Sequence, residues 1–184
     1  MGALISAHAH LGETDKAFQI AAGYAEWGVR PDSRFILCVL DVCMQSCTHA
    51  QLQWVSQVAE KHCINLQRVG HQLLRAHLHA VSRYHSSEPT NDSRMLLDAA
   101  LALYSKAIQH QWQLTSSTYR WLLSLCASHN LVNDAIMVLG DMAKGGHEPG
   151  LKVLDDVMAA AHRLSEIDDD ALALWKAGSN DCCA

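Results

Sequence analysis

A helical hairpin that recurs along the chain constrains it more than any other feature. Residues 4–32, LISAHAHLGETDKAFQIAAGYAEWGVRPD, carry a first apolar stripe in Leu4, Ile5, Ala7 and Leu11. Gly12 has the dihedral freedom to stop that helix, and Thr14 is the expected N-cap of a second. Ala17, Phe18, Ala21, Ala22, Tyr24 and Ala25 follow at helical spacing. Gly28 ends the second helix and Pro31 keeps it ended. The pattern returns 118 residues later, in residues 118–149, TYRWLLSLCASHNLVNDAIMVLGDMAKGGHEP. There Leu122 and Leu123 begin the first stripe, Ala135, Ile136 and Met142 repeat the second, and Gly146 to Pro149 repeat the stop.

Between the two good copies, residues 33–67 keep the 35-residue length without the glycines and prolines. The next unit, 68–115, has 48 residues, and its surplus is assigned to an exposed loop at 84–94, YHSSEPTNDSR. Residues 116–150 span 35 again, 151–177 form an incomplete unit, and 178–184 read as a flexible tail. No single helical pair can bury its own apolar face, so a period of this kind predicts stacking. The expected fold is all-α, a right-handed α-solenoid of antiparallel helix pairs forming one domain over 1–177.

Composition narrows the partners. The formal charge of -5 is concentrated in residues 141–184, whereas residues 61–120 hold an excess of bases: Lys61, Arg68, Arg75, Arg83, Arg94, Lys106 and Arg120 against Glu88, Asp92 and Asp98. That mid-chain excess suits a phosphate-facing patch, while a solvated helix face gives similar numbers. A chain with pI near 6.1 lacks the high pI usual in domains that live by non-specific nucleic-acid affinity. No apolar run approaches the roughly 18 residues that span a bilayer. The seven cysteines are an odd number, and Cys38, Cys43, Cys47, Cys63 and Cys126 lie mostly on the expected buried side of helices. Reduced, buried thiols fit this better than a disulfide framework.

Residues that invite a site each have a plainer explanation. Cys43 and Cys47 share a helix face, with Cys38 and His49 nearby, but apolar neighbours and the absence of a CxxC favour core cysteines over a metal. His8 with His10, and His77 with His79, are two apart and diverge on a helix. Asp168 to Asp170 lacks the glycine and length of a calcium loop. No phosphate-binding glycine loop, HExxH or nucleophile elbow is present. Catalysis, a metal, a cofactor and a small-molecule substrate are therefore not expected. Trp27, Trp54 and Trp112 fall late in second helices, on an expected outer layer, for packing or protein contact. Arg120 and Trp121 open a first helix, where a phosphate or base contact has some local support.

With LIS, Gly12, DKAF and GVRPD in the first copy, and WLLSL, NDAIMVL and GGHEPG in the fourth, the chain resembles the pentatricopeptide repeat family. Two copies are good, two degenerate and one truncated, so the likeness runs through essentially the whole chain. Members that bind RNA read one base per repeat, with a side chain near the start of the first helix and the last residue of the unit. The resemblance places those pairs at Gly2 with Asp32, Leu37 with Gln67, Gln72 with Thr115 and Arg120 with Gly150. None of the four first members is the usual Asn, Ser or Thr, and only Asp32 matches at the closing position. A lost base code turns the expectation toward phosphate contact by Arg68, Arg75 and Arg120 and toward protein partners. The resemblance thus implies a structural subunit of an organellar ribonucleoprotein, foremost a mitochondrial ribosome in the matrix, touching neighbouring proteins and rRNA backbone and no membrane. A chloroplast location, a free RNA-binding factor for transcript processing or translation, and a protein adaptor without RNA contact are the alternatives.

Overall fold

The structure, a computed structural model, describes residues 1–45, 48–84 and 91–164. Every regular element among the described residues is helical. In chain order these are α1 (Gly2–His10), α2 (Thr14–Ala22) running on into a short 3-10 turn (Gly23–Ala25), α3 (Ser33–Gln45), α4 (His49–Lys61), α5 (Leu66–Tyr84), α6 (Asn91–Gln109), α7 (Ser116–Ser128), α8 (Val132–Lys144) and α9 (Leu151–Leu164). They fall into two compact units, Met1–Gln113 with α1 to α6, and from Leu114 onward with α7 to α9. In the first unit α1 packs on α2 and α3, α3 also on α2, α4 and α5, and α5 on α4 and α6. In the second, α7 packs on both α8 and α9. No helix among the described residues is long and apolar enough to cross a membrane.

Six helix ends close in the same way. The backbone N–H groups of Glu13, Val29, Ile64, Trp112, Leu131 and His147 donate to carbonyls five residues back, at His8, Tyr24, Ala59, Ala107, Cys126 and Met142. The residue before each donor has positive φ: Gly12 (75°), Gly28 (63°), Cys63 (50°), Gln111 (52°), Asn130 (56°) and Gly146 (71°). This is the Schellman closure, which satisfies carbonyls that a helix end would otherwise leave orphaned. Gly28, Cys63, Gln111 and Gly146 follow the second helices at successive spacings of 35, 48 and 35 residues. The backbone repeat therefore persists where the glycine has been lost.

Helix starts depend on short polar side chains. Asp32 Oδ1 accepts the Phe35 N–H at 2.8 Å at the start of α3. Thr48 and Gln51 form a reciprocal capping box on α4. Thr115 accepts the Thr118 N–H at the start of α7. At α2 the N-cap is Glu13, not Thr14, and it makes no side-chain cap. Its carboxylate instead bridges Lys16 Nζ at 2.8 Å and His8 Nδ1 at 2.7 Å. Those two hydrogen bonds, Lys16 first, hold its pKa below the usual carboxylate value.

The surplus of the third unit is taken up by helix rather than by loop. α5 and α6 are 19 residues each, against 13 in α3, α4, α7 and α8. Tyr84 and residues 91–94, expected in the loop, are helical, and residues 85–90 lie outside the described residues. The buried stripe of α5 continues through Leu78 and Val81. Residues 91–93, Asn-Asp-Ser, are of the types that favour a helix start, and Ser93 is only 1% exposed.

Trp112 corrects a further expectation, for it is core and not outer layer. It is the donor residue of the closure after α6, and its indole lies over Gly70 of α5. A Cβ at Gly70 would stand 2.2 Å from Trp112 Cη2. Trp54 is half-buried and meets Phe18 edge-on at 5.1 Å. Trp27 alone of the three is strongly exposed.

Candidate functional site

The positions that the pentatricopeptide resemblance would assign to base reading have other occupations here. Asp32 Oδ1 and Thr115 Oγ1 accept the Phe35 and Thr118 N–H groups at the N-termini of α3 and α7. Gly150 precedes α9 in the same way, its carbonyl accepting Val153 N–H at 3.0 Å. Gln67 is in the first turn of α5, and its side chain lies outside the described residues. Among the first members, Gly2 lies against Cys38 of α3, while Leu37 and Gln72 are half-buried. Arg120 is exposed and its Nε donates to the Ser116 carbonyl at 3.4 Å. Trp121, half-buried, follows it on α7.

The basic residues of 61–120 divide by what they touch. Arg83 donates through Nη2 to the Cys43 carbonyl at 3.2 Å and through Nη1 to the Gln45 carbonyl, capping the C-terminal end of α3. In the second unit Arg163 of α9 does the same for α7, reaching the Ala127 carbonyl and Asn130 Oδ1, each at 3.1 Å. Lys106 pairs with Glu60 at 3.2 Å. Arg75 is half-buried on α5 and has neither an ion pair nor a hydrogen bond among the described residues. Arg68 is in the same helix, seven residues earlier, and its side chain lies outside the described residues. Arg75 belongs to the first unit and Arg120 to the second.

His71 and His79 stand four residues either side of Arg75, on the same face of α5. Burial, and then the Arg75 guanidinium, lowers the pKa of His71. Burial, then Arg83 and Arg75, lowers that of His79. Both imidazoles are thus biased toward the neutral form beside the permanent charges of Arg75 and Arg83. Sequence reasoning named Arg75, weighed His79 only with His77 and passed over His71, although the spacing of four on either side of Arg75 was legible.

A groove of about 240 Å³ lies between α4 and α6 over α5. His49, Gln53, Ser56 and Glu60 line one wall, Ala99, Ala102, Leu103 and Lys106 the other, and Leu66, Leu73 and His77 the floor. His77 is buried and its Nδ1–H donates to the Leu73 carbonyl at 2.9 Å. Its pKa is lowered, by burial first and by His49. Ser56 Oγ donates to the Leu52 carbonyl, and His49 Nδ1 is buried without a hydrogen-bond partner among the described residues. The groove is mainly apolar with most of its polar atoms engaged internally.

Cys43 and Cys126 are buried, Cys38 half-buried and Cys63 exposed, and none of the four is in a disulfide. Burial, with Asp134 adding, pushes the Cys126 pKa up to about 12. Cys47 lies outside the described residues, and these hold no group of three or more His, Cys, Asp or Glu arranged for a metal. With this geometry in hand, comparison with protein-family models finds no match, and comparison with curated proteins finds none either.

Proposed function

We propose that the chain is a non-catalytic structural subunit of an organellar ribonucleoprotein, a mitochondrial ribosome foremost, built as a right-handed stack of helical hairpins. The observation that carries this reading is the recurrence of one helix closure at Gly28, Cys63, Gln111 and Gly146. A backbone unit that recurs while its sequence drifts fits a repeat scaffold, whose units serve mainly to present side chains to partners. In this reading protein contact leads, because Asp32 Oδ1 and Thr115 Oγ1 cap helices and Gly2 and Leu37 offer no polar side-chain atom to a base. RNA is met through backbone phosphates, by Arg75 in the first unit and Arg120 in the second, since a guanidinium binds phosphate without regard to base. The matrix location follows from the family resemblance alone.

The deciding experiment is co-sedimentation of the tagged chain with mitochondrial ribosomal subunits through a high-salt gradient. Retention supports the scaffold. Loss from the subunits, together with salt-sensitive binding to free RNA, favours an RNA-processing factor. Loss with no RNA binding leaves the protein adaptor, the reading that the occupied base positions favour next.

A further inference from the structure

The groove between α4 and α6 lies where the preceding pair of second helices is packed with aromatic rings. The closures at Gly28, Cys63 and Gln111 set α2, α4 and α6 in register, at spacings of 35 and 48 residues. Between α2 and α4, Phe18 meets Trp54 edge-on at 5.1 Å, and Tyr24 Oη stands 3.0 Å from His62 Nε2. One unit further on, Phe18 and Tyr24 become Gln53 and Ala59, while Trp54 and His62 become Ala102 and His110. Gln53 and Ala102 both line the groove of about 240 Å³. Ala59 and His110 line a second opening of about 570 Å³, which shares Glu60 and Leu66 with the first. The hollow is the volume of three aromatic side chains that this pair of helices does not supply.

The floor of the groove adds a polar requirement. His77 is only 2% exposed, and its Nδ1–H is used on the Leu73 carbonyl. Burial keeps the ring neutral, so Nε2 carries a lone pair, with no hydrogen bond among the described residues. A buried acceptor left unpaired is costly. The filled interface one unit earlier shows what pairs it there, a phenol on an imidazole Nε2. What completes the groove is therefore a flat ring that brings its own O–H or N–H donor. A volume of about 240 Å³ is below the roughly 300–1,000 Å³ of pockets that enclose drug-sized ligands. Gln53 and Ala102 are exposed at the rim, so a ring seated there keeps an open side through which a polypeptide can deliver it.

We propose that the groove between α4 and α6 receives a tyrosine or tryptophan side chain of a partner protein, whose ring lies between Gln53 and Ala102 and whose donor meets His77 Nε2. The proposal rests on the scaffold reading and names its protein-contact site. Tyrosine and tryptophan are the side chains that anchor interfaces by filling such pockets, an apolar ring with one polar atom to place.

Two measurements test it. In the first, the full chain with ¹⁵N-labelled histidine is titrated by NMR with N-acetyl-tyrosinamide, N-acetyl-phenylalaninamide and p-cresol. The tyrosine amide should bind about fivefold more tightly than the phenylalanine amide, the gain of one net hydrogen bond, and should move the His77 imidazole nitrogen resonances. Ala102→Trp, which restores the ring found at that register on α4, should abolish the binding. Gln53→Phe, at an exposed position, makes the same test should Ala102→Trp fail to fold. No binding of the tyrosine amide, equal binding of the phenylalanine amide, or binding that survives the filled groove overturns the proposal. Binding of p-cresol without the tyrosine amide makes the occupant a free small molecule, and so overturns the partner proposed. In the second, the filled variant is compared with wild type in the high-salt gradient, and a loss of about tenfold in retained protein is expected. Equal retention of the two overturns the groove as the contact. Wild type not retained defeats the ribosomal reading instead, with the titration still deciding the groove.

Discussion

Gly70 and Trp112 show how a single residue can be fixed by a neighbour far along the chain. A glycine inside a helix costs about 1 kcal/mol relative to alanine, so Gly70→Ala would stabilise an isolated α5. In the fold the new methyl would enter the Trp112 ring, 2.2 Å from Cη2, and overpacking of that kind costs about 1–3 kcal/mol or more. The clash outweighs the propensity, and Gly70→Ala is expected to lower the stability measured by urea unfolding by about 1–2 kcal/mol. In a Trp112→Ala background the same change should turn neutral or stabilising, and a double-mutant cycle by urea unfolding reads that reversal. The buried histidines give a second outcome at this scale. His77, His71 and His79 all have folded pKa values below that of the free imidazole. The unfolded chain therefore binds more protons as pH drops, and the stability these groups retain above about pH 6.5 is lost as pH falls toward their folded values. Urea midpoints should hold steady from pH 8 to 7 and then decline in mild acid, and His77→Gln should shallow that decline. Thiol chemistry divides likewise: mass spectrometry after brief maleimide labelling should find Cys63 modified and Cys43 and Cys126 intact until unfolding.

Helix ends carry the next set of outcomes. Cys63 and Gln111 hold left-handed conformations at exposed positions, where an L side chain costs about 1–2 kcal/mol. Replacing either with glycine should raise stability by about 0.5–1 kcal/mol. Asn130→Gly should change little, because asparagine tolerates that conformation. Thermal unfolding of the three variants tests whether the closure is a property of the repeat or of the particular residue. Deletion of residues 84–94 is more than the trimming of a loop. It removes the first turn of α6 with the buried Ser93, and denaturant unfolding should show a loss of more than about 1 kcal/mol.

For the whole molecule, a net charge of -5 works against any polyanion, so RNA contact has to come from local cations and be weak. Arg75→Glu and Arg120→Glu, made separately, should each reduce the salt dependence of binding to a single-stranded oligouridylate, by about 0.7 in log–log slope for each phosphate that is no longer neutralised. Filter binding over a series of salt concentrations measures this. Binding indifferent to salt and to both reversals would remove RNA from the proposed function and leave protein contact alone.

Much of the architecture was written in local sequence. Apolar residues at helical spacing marked α1, α2, α7 and α8 as helices, because a stripe in the primary sequence is a stripe on a helix whatever surrounds it, although of the α1 stripe only Ile5 is buried while Leu4, Ala7 and Leu11 are exposed. Gly12, Gly28 and Gly146 marked helix ends for an equally local reason, a backbone conformation that only glycine adopts freely. What was not legible depended on contacts between distant residues. Cys63 and Gln111 end helices without a residue signature, because the surrounding packing imposes the conformation at a cost that the packing offsets. Nothing in the residues around Gly70 pointed to Trp112, and the polar run at 84–94 looked like loop until the cores beneath α5 and α6 drew its flanks into helix. The arginines divided only in three dimensions, Arg83 and Arg163 onto helix carbonyls and Arg75 without an ion pair or hydrogen bond among the described residues. A charge count is additive along a chain, but whether a guanidinium is engaged depends on which carbonyl the fold brings within about 3 Å of it.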